Sequence, residues 1–216
     1  AELTRRIEAT RKAMADSELD CIILQSFSPI FDANIRYFID QQTDPYTTAI
    51  LLPKQGGLFV VTHGPELGAP IHPEWERGCD KILTKPYCLP FTFTDDLLGE
   101  TFAAEIREKG YKRIGFVDRQ LISYSFGAYL ERALPEAEFV DFSNQFHLVK
   151  SVKSAEEWEL IGKTISVHDQ LMAAVPALIR PGRLEQEVRS DIERMALNLS
   201  CDAIGNLAVA SGPAGS

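Results

Sequence analysis

Imidazole and carboxylate groups, which can hold a metal ion, gather in one stretch of this chain. His63 and His72 enclose a segment with Glu66, and Glu74 and Glu76 follow shortly after it. Prolines interrupt the spacing, so the set fits neither the helical nor the hairpin arrangement in which proteins usually present metal ligands. We therefore expect a solvated loop here and no metal site.

Serine and cysteine nucleophiles occur without the partners that would activate them. The segment VASGPAGS, residues 209–216, has serines but no G-x-S-x-G turn, and Cys88 has no base near it in sequence. The same segment lacks the lysine of a phosphate-binding loop, and the glycines of KQGGL, residues 54–58, fit a hairpin turn. We predict no catalytic residue and no nucleotide site in the chain.

The remaining reactive groups have structural explanations. His168 falls on the apolar stripe of a helix, where we expect a hydrogen-bonded core histidine. Acidic residues near turns and helix starts favour the positive end of a helix dipole, and they are Asp44, Asp95, Asp96, Glu156 and Glu157. None of these groups indicates catalysis with any specificity.

The cysteines do not form a zinc or redox motif, because no two of them are closely spaced: Cys21, Cys79, Cys88 and Cys201. Cys21 begins the apolar run CIIL, so we expect it to be a small buried hydrophobic residue. Reduced thiols are typical of a cytoplasmic protein, which is the compartment we predict.

The composition is that of a soluble globular protein, with 216 residues, 45% of them hydrophobic and 25% charged. A net charge of −9 argues against a nucleic-acid partner, because such binding depends on Lys and Arg meeting phosphates. No apolar run approaches the roughly 20 residues that span a bilayer. The charged, periodic N-terminus does not resemble a secretory signal.

Strand and helix patterns alternate over the first two thirds of the chain. Apolar runs predict strands at 20–26, 47–53, 58–63, 80–85, 113–118 and 138–142, the second and third forming a hairpin. Helical periodicity marks the opening segment, 94–109 and 123–134. This order favours an α/β domain with a mixed sheet.

The pattern changes near Asn144, and from Ser154 onward it is helical. Ser154 and Glu157 form a predicted capping box at the start of a long amphipathic helix, which the RPG sequence at 180–182 ends. A second amphipathic helix follows, and residues 201–210 then resemble a strand. We predict two domains, 1–146 and 147–216, the second an incomplete one with exposed apolar surface from Trp158 to Ala210.

Four segments, taken in order, resemble the creatinase/aminopeptidase P/prolidase family. They are DCIILQSFSPIFDANIRYFI near the N-terminus, LVKSVKSAEEWELIGKT, LIRPGRLEQEV and the final NLAVASGPAGS. The family has similar sequences at the opening of its N-terminal domain, at the domain junction, between two catalytic-domain helices and in the strand before an active-site histidine. Two departures are Leu184, where the family often has a Thr helix cap, and YFIDQQTD, which lacks the family glycine.

The resemblance implies a creatinase-type N-terminal domain followed by the start of a pita-bread catalytic domain. It also implies hydrolysis assisted by two divalent metals, Mn, Co or Zn, whose Asp, His and Glu ligands would lie beyond this chain. Creatinase itself works without metal. We therefore expect no metal ligand within residues 1–216.

Substrate contacts are implied in two places. In this family the N-terminal domain often packs in a dimer and helps to close the neighbouring active site, so Phe31, Arg36 and Tyr37 are candidate substrate-binding residues. Arg36 can clamp a carboxylate with two hydrogen bonds. Ser211 and Gly212, at the end of the last predicted strand, are candidates for the pocket rim.

Three functions remain open at this point. The first is an Xaa-Pro aminopeptidase or dipeptidase acting on small peptides, and the second is a creatinase-like hydrolase of a small nitrogenous metabolite. The third is a non-catalytic binding module, since peptidase-like domains of this fold occur in a histone chaperone and the acidic charge permits basic partners.

Overall fold

The computed structural model of the chain describes residues 1–26, 33–39, 47–65, 78–86, 96–201 and 204–212. Within them the structure divides into two compact units, Ala1–Val152 and Lys153–Ser216. Each unit is described by itself below.

The first unit is built around a six-stranded mixed sheet in the order β4-β3-β2-β1-β5-β6. Its strands are β1 Cys21–Ser26, β2 Thr48–Pro53, β3 Leu58–His63, β4 Cys79–Lys85, β5 Arg113–Phe116 and β6 Glu138–Asp141. Strand β2 is antiparallel to both of its neighbours, and the other pairs are parallel. The predicted α/β class with a mixed sheet, and the β2–β3 hairpin, are confirmed.

Five helices belong to this unit: α1 Glu2–Asp16, α2 Ala33–Arg36, α3 Asp96–Lys109, α4 Tyr124–Ala133 and α5 Ser143–Ser151. Helices α1, α3 and α4 follow the predicted periodicity. Helices α2 and α5 were not predicted. Ser123 caps α4 by accepting a hydrogen bond from the backbone N–H of Phe126 at 3.4 Å.

The sheet is covered on both faces, which explains why its central strand β1 is buried along its whole length. Ile22 and Leu24 face a core shared with α1, α2 and α5, whereas Cys21 and Ile23 face a core shared with α3 and α4. The alternation follows from the two-residue period of a strand. Cys21 is fully buried, as predicted, and burial raises the pKa of its thiol well above the ordinary value.

The parallel strands β1, β5 and β6 all end at the same edge of the sheet, which we call the carboxyl edge. Their last residues are Ser26, Phe116 and Asp141. Helix α2 packs against β1 and β2, and α5 begins directly after β6. Polar residues that follow the strands are therefore brought together at this edge.

The second unit contains two helices, α6 Ala155–Leu178 and α7 Glu185–Asn198, which pack against each other. The predicted capping box is present. The backbone N–H of Glu157 donates to Ser154 Oγ at 3.1 Å, and the N–H of Ser154 donates to Glu157 Oε2 at 2.9 Å. Gly182, with φ of +87°, lies in the turn between the helices.

Two predictions for the second unit are wrong. The described residues 204–212 form no strand, because no strand elsewhere in the described part of this unit offers a hydrogen-bonding ladder. His168 is exposed rather than in a core, since the apolar stripe of α6 is largely uncovered. The predicted exposed apolar surface is present, with Trp158, Leu160, Ile165, Met172, Ile179, Leu184 and Leu197 each more than half exposed.

Candidate functional site

Asp118 is the centre of a polar cluster at the carboxyl edge. It stands two residues after β5 and adopts a left-handed backbone conformation, with φ of 50° and ψ of 66°. Aspartate tolerates this conformation better than most residues, and such local strain is common at functional sites. The carboxylate is turned toward α2 and α5, where it accepts hydrogen bonds from both helices.

Ser143, the first residue of α5, holds the backbone of Asp118 in place. The N–H of Asp118 donates to Ser143 Oγ at 2.8 Å, and the same hydroxyl donates to Asp141 Oδ1. The backbone N–H of Ser143 also donates to Asp141 Oδ1, at 2.9 Å. The side-chain bond from Ser143, followed by the backbone bond, keeps the pKa of Asp141 below its usual value.

Helix α5 contributes two basic side chains, His147 and Lys150. They are three residues apart, so they lie on the same face of the helix. His147 Nε2 lies 2.7 Å from Asp118 Oδ1, and it is the donor because an ionised carboxylate only accepts. The Lys150 ammonium donates to Asn34 Oδ1 at 2.6 Å. Asn34 Nδ2 in turn donates to Asp118 Oδ2, which completes a chain of four side chains.

Three buried aromatic rings pack beside the polar cluster. Tyr37, Phe38 and Phe146 are buried, and their ring centroids lie 5.2 to 5.7 Å apart. The Lys150 Nζ lies 5.6 Å from the centroid of Tyr37 and 5.4 Å from that of Phe146, within the range of a cation–π contact. The guanidinium of Arg6 also lies over the Tyr37 ring, 4.7 Å from its centroid.

Arg36 ends the one-turn helix α2 and is exposed, although Asn34 and Ile35 before it are buried. Within the described ranges its guanidinium forms no hydrogen bond or ion pair. An exposed guanidinium with its donors free can bind a carboxylate with two parallel hydrogen bonds. Phe31, predicted to act beside Arg36, lies outside the described residues.

Ser211 and Gly212 lie at the end of the described part of the second unit, and both are exposed. The backbone N–H and the hydroxyl of Ser211 both donate to Glu185 Oε1 at 2.5 Å. Glu185 is the first residue of α7, so this contact fixes Ser211 beside the N-terminus of that helix. Gly212 has φ of +72°, in the region that favours glycine.

The described residues do not fit a metal centre, because they hold no group of three His, Cys, Asp or Glu side chains suited to one. The sequence analysis considered a metal site around His63 and His72 and set it aside. His63 ends β3, and the other residues of that group lie outside the described residues: Glu66, His72, Glu74 and Glu76. The thiols of Cys21, Cys79 and Cys201 are free of disulfides. Across the ranges that the structure describes, no helix has the length and apolar character needed to cross a membrane.

The fold and the polar cluster define a mixed α/β domain with helices on both faces of its sheet and with the exposed side chains of Arg36 and His147 at the carboxyl edge. The chain belongs to the creatinase/prolidase N-terminal domain family, whose model matches residues 6–152. This match covers the sheet and every residue of the cluster. The resemblance inferred from the four sequence segments is therefore confirmed.

Solved structures with a similar fold extend the comparison. The Xaa-Pro dipeptidase from Bacillus anthracis is 18% identical, with a TM-score of 0.66 over 91% of this chain and 49% of its own. The X-Pro aminopeptidase from Thermotoga maritima is 14% identical, with a TM-score of 0.70 over 91% of this chain and 50% of its own. The prolidase from Pyrococcus horikoshii is 16% identical, with a TM-score of 0.64 over 89% and 48%.

The chain thus spans about half the length of these structures. Their similarity extends past Val152 into the second unit, because it covers about nine tenths of the chain. No curated protein sequence matches the chain.

Sequence reasoning identified Arg36 but missed Asp118, His147 and Lys150. Two signals pointed to them. An aspartate directly after a parallel strand lies at the edge where the other strands also end, and a histidine and a lysine three residues apart share one helix face. The second signal required a helix at 143–151, which we had not predicted.

Proposed function

We propose that this chain supplies the N-terminal domain and the first catalytic-domain helices of a hydrolase of the Xaa-Pro aminopeptidase or dipeptidase type. The observation that carries the proposal is the family match over residues 6–152. The fold shared with an Xaa-Pro dipeptidase and an X-Pro aminopeptidase supports it. The proposal includes the two divalent ions expected from the family, Mn, Co or Zn, for which the described residues hold no group of three suitable ligands.

Arg36 is the residue of this chain that we assign to substrate recognition. It is exposed, it has no partner within the described residues, and it stands on a turn whose neighbouring side chains are buried. A small peptide offers a C-terminal carboxylate whose two oxygens match the two parallel N–H groups of a guanidinium. The role of Arg36 is therefore to orient the peptide by its carboxyl end, which places the scissile bond at a fixed distance.

The other candidate substrate-binding residues have different roles in this proposal. Tyr37 is buried, so we place it behind Arg36, where its ring supports the cluster. Phe31 remains a candidate for the apolar part of the peptide. Ser211 and Gly212 remain candidates for the rim of the catalytic pocket. The proposed assembly is a cytoplasmic homodimer in which this domain faces the catalytic centre of the partner.

The experiment also tests two alternative functions. A creatinase-like enzyme would also use a basic residue to hold a small carboxylate, because creatine carries one. A non-catalytic binding module would use the acidic charge of the chain, −9, to hold a basic protein.

The experiment is an assay of the intact protein with added Mn²⁺, in which mass spectrometry follows the products. The panel contains Xaa-Pro dipeptides, Xaa-Pro-Xaa tripeptides, the matching Xaa-Ala peptides and creatine. We expect the protein to cleave the bond before proline and to leave the Xaa-Ala peptides intact. Cleavage of creatine alone would replace the proposal with the first alternative. An inert protein that binds histones in a salt-sensitive manner would replace it with the second.

A further inference from the structure

Asn34 is held at both ends of its side-chain amide by residues far away in sequence. Its Nδ2 donates to Asp118 Oδ2, 84 residues later, and its Oδ1 accepts from the Lys150 ammonium at 2.6 Å, 116 residues later. Asn34 is buried, its bond to Asp118 is shielded from water, and its bond from Lys150 is part-buried. Hydrogen bonds to charged partners in such a setting are among the stronger ones in proteins.

Helix α2 needs such anchors because it has only four residues. A single helical turn does not hold itself, since the first hydrogen bond must compensate for fixing several backbone dihedrals. The turn is closed by backbone bonds from the N–H groups of Phe38 and Ile39 to the carbonyl of Ile35, at 3.0 and 3.1 Å. Ile35 packs into the core and sets the depth of the turn, whereas Asn34 fixes its rotation.

The two anchors are themselves fixed by regular structure. The backbone of Asp118 follows β5 and donates to Ser143 at the start of α5. The Nζ of Lys150 lies 5.6 Å from the ring centroid of Tyr37 and 5.4 Å from that of Phe146. Lys150 therefore stands on a helix, and Asp118, two residues after β5, is tied by its backbone to the first residue of α5, which supports a well-positioned binding group.

We propose that Asp118 and Lys150, acting through Asn34, are positioning residues that set the direction of Arg36 toward the substrate carboxylate. The inference rests on the proposed function, because it assigns Arg36 a substrate. It goes beyond that function by naming the three buried or half-buried side chains on which recognition depends. Loss of either anchor lets α2 rotate, and the two donors of Arg36 then no longer meet both carboxylate oxygens.

The test compares an Xaa-Pro-Xaa tripeptide with its C-terminal amide, which lacks the carboxylate that Arg36 binds. We expect Asn34→Ala and Lys150→Met to raise KM for the acid about tenfold, as loss of one charged hydrogen bond predicts, with kcat nearly unchanged. KM for the amide stays at the wild-type value. In an Arg36→Gln background, Lys150→Met should not raise KM for the acid any further, because the guanidinium through which Lys150 acts is already absent.

Matched controls are Asn144→Ala and Lys12→Met, which make the same chemical changes at exposed positions. Lys150→Met keeps the apolar stem, so it guards against a result caused by misfolding. Hydrogen exchange at the amides of Phe38 and Ile39 gives a second readout that needs no activity. We expect faster exchange in Asn34→Ala and Lys150→Met than in the controls.

Equal effects on the acid and the amide, or additive effects with Arg36→Gln, would overturn the inference by reducing the network to a stability role. Unchanged exchange at the two amides would overturn it as well. If the wild-type protein cleaves neither peptide, the proposed function fails. The exchange arm then decides by itself whether the network holds α2.

Discussion

The Lys150 ammonium donates a 2.6 Å hydrogen bond to the side-chain oxygen of Asn34, which lies 116 residues earlier in the chain. This bond joins α5, at the end of the first unit, to α2, near its beginning. It also links a buried amide to a half-buried cation at the carboxyl edge of the sheet. Arg36 stands two residues after Asn34 on α2 and is exposed.

Phe146 should be the residue on which α5 depends most. It is fully buried, and it is the one buried residue of that helix. We expect Phe146→Ala to lower the free energy of unfolding by about 3–5 kcal/mol, because it removes a large side chain and leaves a cavity. Urea denaturation followed by far-UV circular dichroism measures this change.

The control for Phe146 is Leu148→Ala on the same helix, where the side chain is 69% exposed. That change should alter stability by about 0.5 kcal/mol or less. Equal losses for the two variants would contradict the placement of Phe146 in the core.

Asp20 should make the protein sensitive to acid. Burial raises the pKa of its carboxyl, but the hydrogen bond from Lys54 and those from the backbone N–H groups of Lys112 and Arg113 together lower it further, so the net shift is downward. A folded-state pKa below the unfolded value gives stability that is present above the unfolded pKa, near 4, and is lost as the pH falls through the folded pKa.

Asp20→Asn removes the charge and should therefore flatten the fall in stability below about pH 5. At pH 7 we expect the variant to be less stable by about 1–2 kcal/mol, because the hydrogen bonds weaken. Thermal unfolding from pH 3 to 7 measures both effects. A variant that loses stability with acid as steeply as the wild type would rule out this role for Asp20.

Leu184 offers a way to stabilise the second unit. It occupies the N-cap of α7, where Glu187 Oε2 accepts from its N–H at 2.8 Å, but its own side chain has no oxygen to accept from the helix. Leu184→Ser supplies that acceptor and completes a capping box. We expect a gain of about 0.5–2 kcal/mol.

The measurement for Leu184 is hydrogen exchange at the amides of the first turn of α7. Leu184→Ala serves as the control, because it removes the exposed apolar side chain without adding a cap. Slower exchange in the serine variant alone is the expected result, whereas equal exchange in both variants would show that the cap adds nothing.

Cys21 should be inert toward thiol reagents in the folded protein. It is fully buried, and burial raises its pKa well above the ordinary value, so little thiolate forms. Alkylation with iodoacetamide and peptide mass spectrometry should label Cys79 and Cys201, which are partly exposed, before Cys21. Labelling of Cys21 at the same rate as the others would contradict its place in the centre of the sheet.

The sequence predicted the strands and most helices because burial leaves a periodic pattern in each of them. Helix α2 was missed because four residues are too few to show a period. Helix α5 was missed because it buries only Phe146 and exposes Leu148. The apolar run before Ser211 suggested a strand, but strand formation depends on a neighbour that the described part of the second unit does not provide.

The polar cluster was harder to predict than the fold. Asn34, Asp118 and Lys150 come from three elements, and no spacing rule relates positions that are 84 and 116 residues apart. Arg36 and Tyr37 were named together because both stand in the segment that resembles the opening of the family's N-terminal domain. The structure separates them, since one side chain is exposed and the other is buried.

The most direct test of the account is the kinetic effect of Arg36→Gln on the intact protein with the acid and amide forms of one Xaa-Pro-Xaa tripeptide. We expect kcat/KM for the acid to fall about tenfold or more while that for the amide is unchanged, because only the acid has a carboxylate for the guanidinium to bind. Arg132→Gln, at an exposed position on α4, is the matched control and should alter neither value. Wild-type kinetics with both peptides in Arg36→Gln would contradict the account.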